Sequence, residues 1–136
     1  MYGGAAKRYM QVSVQTASPG QILLALYDAA IRDARRAAEA IRAKDIQAKA
    51  KDIQHVSTIL TELTSTLDFQ VAPELCRNLE NLYFYMQERL SYANAMLEPD
   101  ACEEVARLLD TLRQAWVQAV EQVESRVMPK AVSAGR

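Results

Sequence analysis

The sequence is poor in the residues that enzymes and metal sites use most, with one histidine and two cysteines in 136 residues. A dinuclear carboxylate site in a helical bundle needs a Glu-x-x-His pair on each of two helices, so the single histidine excludes it. No Ser-His-Asp or Cys-His arrangement can be built around that histidine, and no glycine-rich phosphate loop occurs. We therefore expect no catalytic residue, no metal ligand, no cofactor and no enzymatic activity.

The two cysteines, Cys76 and Cys102, do not have the spacing of metal ligands. Free thiols in a reduced, cytoplasmic protein are the expected state, while the sequence leaves open a disulfide between them. The formal net charge of −1 gives no electrostatic signature of a nucleic-acid partner. No apolar run reaches the length of a membrane span, and the start MYGGAAKRYMQ lacks the core of a secretory signal. We expect neither nucleic-acid binding nor membrane insertion.

Glycine and proline are also scarce, at four each, and they lie near the chain ends and at a few junctions. The long runs between them are rich in Ala, Leu, Glu, Arg and Gln, which favour helices, and alternating β-branched runs are nearly absent. Short links force neighbouring helices to be antiparallel. The sequence predicts an all-α fold, an antiparallel up-down-up-down four-helix bundle over residues 18–127. A flexible, extended N-terminal segment (residues 1–17) and a disordered C-terminal tail (residues 128–136) flank it.

The first helix has the clearest start signal. Ser18 is a good N-cap, Pro19 suits the first helical position, and Gln21 completes a Ser-x-x-Gln capping box. This helix is predicted to reach about Ala43. The remaining boundaries rest on a cap at Asp45, a helix start at Pro73, a second cap at Asp100 with Glu103, and a helix end before Pro129.

Apolar residues at helical spacing predict the core. In the first two helices they are Leu23, Leu26, Ala30, Ala34, Ala37 and Ile41, then Ile46, Ile53, Val56, Leu60, Leu63 and Leu67. In the last two they are Leu75, Leu79, Leu82, Met86, Ala93 and Leu97, then Val105, Leu108, Leu109, Leu112, Trp116, Ala119, Val123 and Val127.

The first half of helix 1 has more apolar residues than one core stripe needs. The extra residues lie on the two flanks of the stripe: Ile22, Ala25 and Ala29 on one side, and Leu24, Tyr27 and Ile31 on the other. Such a surface is either a binding site or, if helix 1 contacts both of its neighbours, an unusually wide core face. The sequence favours a binding site for the set as a whole.

Helix 3 carries a second anomaly, three consecutive aromatic residues, Tyr83, Phe84 and Tyr85. They span about 200° of the helix, so no single core can bury all of them. Phe84 falls on a stripe that is otherwise polar, and aromatic residues are enriched at binding hot spots. We interpret this region as an interaction surface.

Five segments, in this order, resemble the FliS family of flagellar secretion chaperones, and the likeness extends from Tyr9 to about Ala119. They are SVQTASPGQ (13–21), LYDAAI (26–31), ELTSTLD (62–68), LYFYMQERLSYAN (82–94) and LRQAW (112–116).

The resemblance implies a cytoplasmic four-helix bundle that binds the C-terminal segment of flagellin. The chaperone would keep that segment helical and unpolymerised until the flagellar type III export apparatus, with its export gate, takes it. Recognition would be of the helix-in-groove kind, and the N-terminal segment would act as a removable lid. The residues expected to contact the client are Tyr9, Met10, Val14, Ile22, Leu24, Tyr27, Ile31, Tyr83, Phe84 and Tyr85.

Two alternatives remain at this stage. His55 on helix 2 raises the possibility of a phosphotransfer bundle, although no basic residue follows within a turn to hold a phosphoryl group. The apolar flanks also fit a structural bundle that self-associates. A weak homodimer is compatible with the chaperone function as well.

Overall fold

The computed structural model describes the backbone of residues 18–134 and the side chains of residues 18–125. The predicted N-terminal segment, with Tyr9, Met10 and Val14, lies outside this range, as does the side chain of Val127. The described part forms four helices and no strand: α1 (Pro19–Arg42), α2 (Ile46–Ser65), α3 (Pro73–Met96) and α4 (Pro99–Ala134). None of them is both long enough and apolar enough to cross a membrane.

The helices form an antiparallel bundle, which confirms the predicted all-α fold class. Each helix packs against the ones before and after it in sequence, and α4 closes the ring by packing against α1. The first end of the bundle therefore holds the start of α1, the end of α2 and the start of α3. The second end holds the α1–α2 and α3–α4 links.

Packing within the ring is uneven. The contacts of α1 with α4 and α2 are much more extensive than those of α3 with either of its neighbours. The reason lies in the sequence of α1, where Ala30, Ala34, Ala37 and Ala38 are all fully buried. Small side chains let helix axes approach closely, whereas larger ones keep them apart. As a result α1 is the central helix of the bundle and α3 is the most loosely attached.

The start of α1 follows the sequence prediction in part. The Ser18 hydroxyl accepts a hydrogen bond from the Gln21 backbone N–H at 3.2 Å, as an N-cap should. The Gln21 side chain donates from Nε2 to Glu124 Oε2 on α4 at 3.1 Å. Ser18 Oγ donates to the same oxygen at 3.1 Å. The cap therefore also ties the start of α1 to α4.

Of the four other predicted boundaries, two are confirmed and two are wrong. Asp45 caps α2 by accepting from the Ala48 backbone N–H at 3.1 Å, and α3 starts at Pro73. The predicted cap at Asp100 is wrong, because α4 already starts at Pro99 and Asp100 lies in its first turn. The tight α3–α4 link is possible because Leu97 adopts a left-handed conformation, with φ of 55°.

The helix end predicted before Pro129 is also wrong, since α4 continues to Ala134. Proline removes one backbone hydrogen bond but has a φ that suits a helix, so a long helix can pass through it. The disorder of residues 128–136 stays a prediction.

The predicted core is correct in the middle of the bundle and wrong near its ends. Residues such as Leu60, Met86 and Leu109 are fully buried. Leu82 is only partly buried, because it lies at the edge of the loosely packed α3. Five residues predicted to be buried are exposed. Ile46, Leu75 and Leu97 lie at helix ends, whereas Ala119 and Val123 lie within α4 at the end of the bundle where α1 starts.

Both cysteines are free and buried. Cys76 lies at the start of α3 and Cys102 at the start of α4, so the two thiols are at opposite ends of an antiparallel helix pair. Burial raises the pKa of Cys102 to about 11. This thiol is therefore protonated, and hence poorly nucleophilic, at neutral pH.

The close approach of α1 and α4 predicts an unusual response to the substitution Gly20→Ala. A Cβ atom at Gly20 would lie 2.8 and 2.9 Å from the two γ-carbons of Val120. Alanine favours helix by about 1 kcal/mol over glycine, but overpacking costs about 1–3 kcal/mol. We expect urea denaturation to give a lower free energy of unfolding for Gly20→Ala than for the wild type. In a Val120→Ala background the same substitution should be neutral or stabilising, and equal destabilisation in both backgrounds would contradict this packing.

Candidate functional site

The three consecutive aromatic residues of α3 point in three different directions. Tyr83 faces the core and is 2% exposed, Phe84 is 60% exposed on the side facing α2, and Tyr85 is 41% exposed on the side facing α4. The exposure of Phe84 agrees with its predicted place on the polar stripe. An exposed aromatic side chain beside a groove is a candidate contact for a partner, because aromatic residues are enriched at binding hot spots.

Phe84 borders a groove between α2 and α3 with a volume of about 630 Å³. We refer to it as the Phe84 groove. Its residues come from the last part of α2 and the first half of α3: Thr61, Thr64, Ser65, Glu80, Asn81, Tyr83, Phe84 and Gln87.

The groove ends where polar contacts join α2 to α3. The Gln87 side chain receives a hydrogen bond from Ser57 Oγ at 2.7 Å and donates to the Ser57 carbonyl at 3.0 Å. Nearer the second end of the bundle, the buried Lys49 donates from Nζ to the Asn94 carbonyl at 3.2 Å. Between Gln87 and the α2–α3 turn no hydrogen bond joins the two helices within the described residues. The helices are therefore held together at one end and open at the other.

A hydrogen-bonded chain of three aromatic residues supports the floor of the groove. The Tyr83 hydroxyl lies 2.5 Å from the Tyr27 hydroxyl of α1, which accepts a hydrogen bond from Trp116 Nε1 of α4 at 3.0 Å. Burial raises the pKa of Tyr27, and burial together with Tyr27 raises that of Tyr83. Both phenols stay protonated at neutral pH, so the chain connects three helices without a buried charge.

On the other side of α3, Tyr85 is held by polar contacts to α4. Its hydroxyl donates to Glu104 Oε2 at 2.6 Å, and Arg89 Nε donates to Glu104 Oε1 at 2.7 Å. These hydrogen bonds, that of Tyr85 first, lower the pKa of Glu104. Tyr85 thus connects α3 to α4 through its hydroxyl, and only its exposed ring is accessible to a binding partner.

The structure corrects three of the predicted contact residues. Tyr27 and Ile31 are buried, because α1 contacts both α2 and α4 along its length and its wide apolar arc is core. Tyr83 is buried too and reaches the groove only as part of its floor. Of the other residues predicted on α1, Ile22 and Leu24 are half-buried near its start.

The sequence reading missed an apolar surface in the α2–α3 turn. Phe69 and Val71 of the turn and Leu75 in the first helical turn of α3 are exposed. Turns are usually polar, so the apolar residues of the segment DFQVAPEL indicate an exposed apolar surface at this turn. These residues form an exposed apolar surface at the end of the bundle that holds the α2–α3 turn.

A second groove, of about 600 Å³, lies between α1 and α4 and is very different in character. Ile31 is the only apolar residue among those that line it. Arg113 donates to Asp28 across this groove at 2.5 and 3.4 Å. Its charged lining makes it a poorer site for an apolar helix face than the Phe84 groove.

Comparison with known proteins identifies relatives over most of the chain. The family model for "Flagellar protein FliS" matches residues 1–123. The flagellar secretion chaperone FliS of Bacillus subtilis (strain 168) is 34% identical over 113 residues, which cover 83% of this chain and 84% of that protein. The chaperone of the same name from Salmonella typhimurium (strain LT2) is 36% identical over 117 residues, covering 82% and 87%.

The fold has a relative among solved structures. A bacterial flagellar chaperone crystal structure superposes with a TM-score of 0.71, covering 87% of this chain and 96% of that one. The two sequences are 21% identical, so this likeness supports the bundle architecture alone.

The tyrosine chain beneath the groove predicts a loss of stability at high pH. Because the pKa of Tyr83 is raised above its ordinary 10.0 in the folded chain, the unfolded chain loses its phenolic protons first. The contribution of Tyr83 is therefore fully present below about pH 10 and is lost as the pH rises further. We expect the stability difference between the wild type and Tyr83→Phe to shrink from about pH 8 to about pH 11, measured by urea unfolding.

The exposed Tyr92 provides the control for this experiment. A Tyr92→Phe variant should keep a nearly constant difference from the wild type over the same pH range. If Tyr83→Phe behaves in the same way, Tyr83 is not held protonated by burial.

Proposed function

The chain belongs to the FliS family and is a flagellar secretion chaperone, and we propose that its Phe84 groove binds the C-terminal helical segment of flagellin. Binding keeps that segment from polymerising before export. The family match over residues 1–123 is the observation that supports the assignment as a flagellar chaperone. The exposed phenylalanine beside an open groove is the observation that supports this site.

The chemistry of the groove suits one face of an amphipathic helix. Phe84 provides the exposed apolar side chain and Tyr83 lies in the floor, while Thr61, Glu80 and Gln87 provide polar groups along the rim. Helix-in-groove recognition uses this combination, in which apolar anchors supply affinity and rim groups fix register. Because the groove opens toward the α2–α3 turn, a client helix can continue over that turn.

The exposed residues of the turn extend the proposed client surface. Phe69 and Val71 lie in the turn toward which the groove opens and present apolar side chains to solvent. A client longer than the groove would cover them as well. An elongated client segment therefore fits the surface better than a single short helix does.

The N-terminal segment is proposed as a removable lid of this surface. In the antiparallel bundle, α1 starts at the same end at which α2 ends and α3 starts. Pro19 is therefore at the same end of the bundle as the open end of the groove. The apolar residues Tyr9, Met10 and Val14 of the N-terminal segment can occupy the groove until a client displaces them, and the half-buried Ile22 and Leu24 lie where this segment joins α1.

We propose that the protein acts in the cytoplasm, where flagellin is made. We also propose that it delivers its client to the flagellar export gate. Its curated relatives are named chaperones, and the function we propose is non-enzymatic binding. A weak homodimer through the unfilled groove stays a prediction.

The phosphotransfer alternative is not supported by the surroundings of His55. His55 Nδ1 lies 3.7 Å from Asp33 Oδ2, and Asp52 is on the same helix face. Two carboxylates next to the imidazole would repel a phosphoryl group. No observation favours this function over client binding.

Substitution of Phe84 tests the proposed site directly. Because a central aromatic anchor typically contributes well over 1 kcal/mol, Phe84→Ala should weaken binding of a flagellin C-terminal peptide about tenfold or more in isothermal titration calorimetry. Its free energy of unfolding should change little, since the side chain is exposed.

Met96 provides the matched control, because it is 64% exposed on the same helix but at the other end of the bundle. Met96→Ala should bind the peptide like the wild type. Equal binding by the wild type and Phe84→Ala would disprove the site while leaving the family assignment intact.

A further inference from the structure

Three side chains that commonly ligate metals meet between α1 and α2, and none of them lines the Phe84 groove. Asp33 comes from α1, and Asp52 and His55 come from α2. One ligand atom from each lies within 4.8 Å of the other two. Asp52 and His55 are three residues apart, which places them on the same face of their helix.

Asp33 is the unusual member of this cluster, because a carboxylate is seldom buried. Its side chain is only 6% exposed. Its Oδ1 accepts a hydrogen bond from Arg32 Nε at 3.3 Å, while its Oδ2 receives none from the described residues. Oδ2 faces His55 Nδ1 at 3.7 Å, which is beyond hydrogen-bond distance. A buried carboxylate oxygen without a donor is costly and needs a cation or a donor to balance it.

The two carboxylates of the cluster favour the binding of a cation. Asp33 and Asp52 place two carboxylate oxygens within 4.8 Å of each other, and Oδ2 of Asp33 has no hydrogen-bond donor among the described residues. Arg32 is already used by the other oxygen of Asp33. The two carboxylates therefore repel each other in the folded chain, and a divalent ion between them would remove that repulsion.

The donor set identifies the class of ion. One imidazole nitrogen and two carboxylate oxygens suit zinc and similar transition-metal ions, whereas magnesium and calcium prefer oxygen ligands alone. Ligand atoms around tetrahedral zinc are about 3.3 Å apart, given bonds of about 2.0 Å. The partly exposed Asp52 and His55 have space to rotate and close the remaining gap.

We propose that Asp33, Asp52 and His55 form a binding site for a zinc-class divalent ion that joins α1 to α2. The site leaves a fourth coordination position for water. Because α2 forms one wall of the Phe84 groove, the ion fixes that wall to the central helix of the bundle. This inference is independent of the identity of the client.

Calorimetric titration of Zn²⁺ into the reduced, metal-free full-length chain tests the proposal. We expect one ion per chain with a Kd below about 10 μM. Asp52→Asn and His55→Gln should each weaken binding about tenfold or more, and both positions are exposed enough for the fold to survive. Asp110→Asn, which changes a carboxylate on α4, should bind like the wild type.

Two results would overturn the proposal. One is a Kd weaker than about 10 μM, or equal affinity in the wild type, Asp52→Asn and His55→Gln. The other is a Co²⁺ complex with a strong near-ultraviolet thiolate charge-transfer band, because it would assign the ion to Cys76 or Cys102. A Co²⁺ spectrum with visible d–d bands and no thiolate band supports the site.

Discussion

The close packing of α1 against α2 and α4 determines the rest of the structure. Four alanines of α1 are fully buried, and they allow these three helices to form a compact unit. The fourth helix, α3, has large side chains on its inner face, including Tyr83, Met86 and Leu90, and completes the bundle less tightly. The opening that remains between α2 and α3 is a consequence of this difference in side-chain size.

Although α3 packs less tightly than the other helices, hydrogen bonds on two of its sides fix its orientation. The hydroxyl chain from Tyr83 through Tyr27 to Trp116 connects α3 to both α1 and α4 across the core. Tyr85 and Arg89 hold its outer side through Glu104. These contacts keep the groove from closing or collapsing, so Phe84 stays exposed beside it. A preformed site loses less conformational entropy on binding than one that must be ordered first.

Local signals in the sequence predicted the helix starts well, whereas the exposure of apolar residues needed the tertiary structure. Ser18, Asp45 and Pro73 mark helix starts because capping depends on a few neighbouring residues. The burial of Tyr27 could not be read from periodicity, since it depends on how closely α4 approaches α1. The exposure of Phe84 could be predicted, because Phe84 breaks a polar stripe on its own helix. The open α2–α3 groove depends on relative packing of whole helices, which no single segment encodes.

Hydrogen–deuterium exchange of the full-length chain, free and saturated with a flagellin C-terminal peptide, is the most direct test that the client completes the open side of the bundle. In the free chain the account predicts faster exchange in α3 than in α1. Bound client should slow exchange in the last part of α2 and the first half of α3, with little change in α1. Protection confined to α1 and α4 would contradict it.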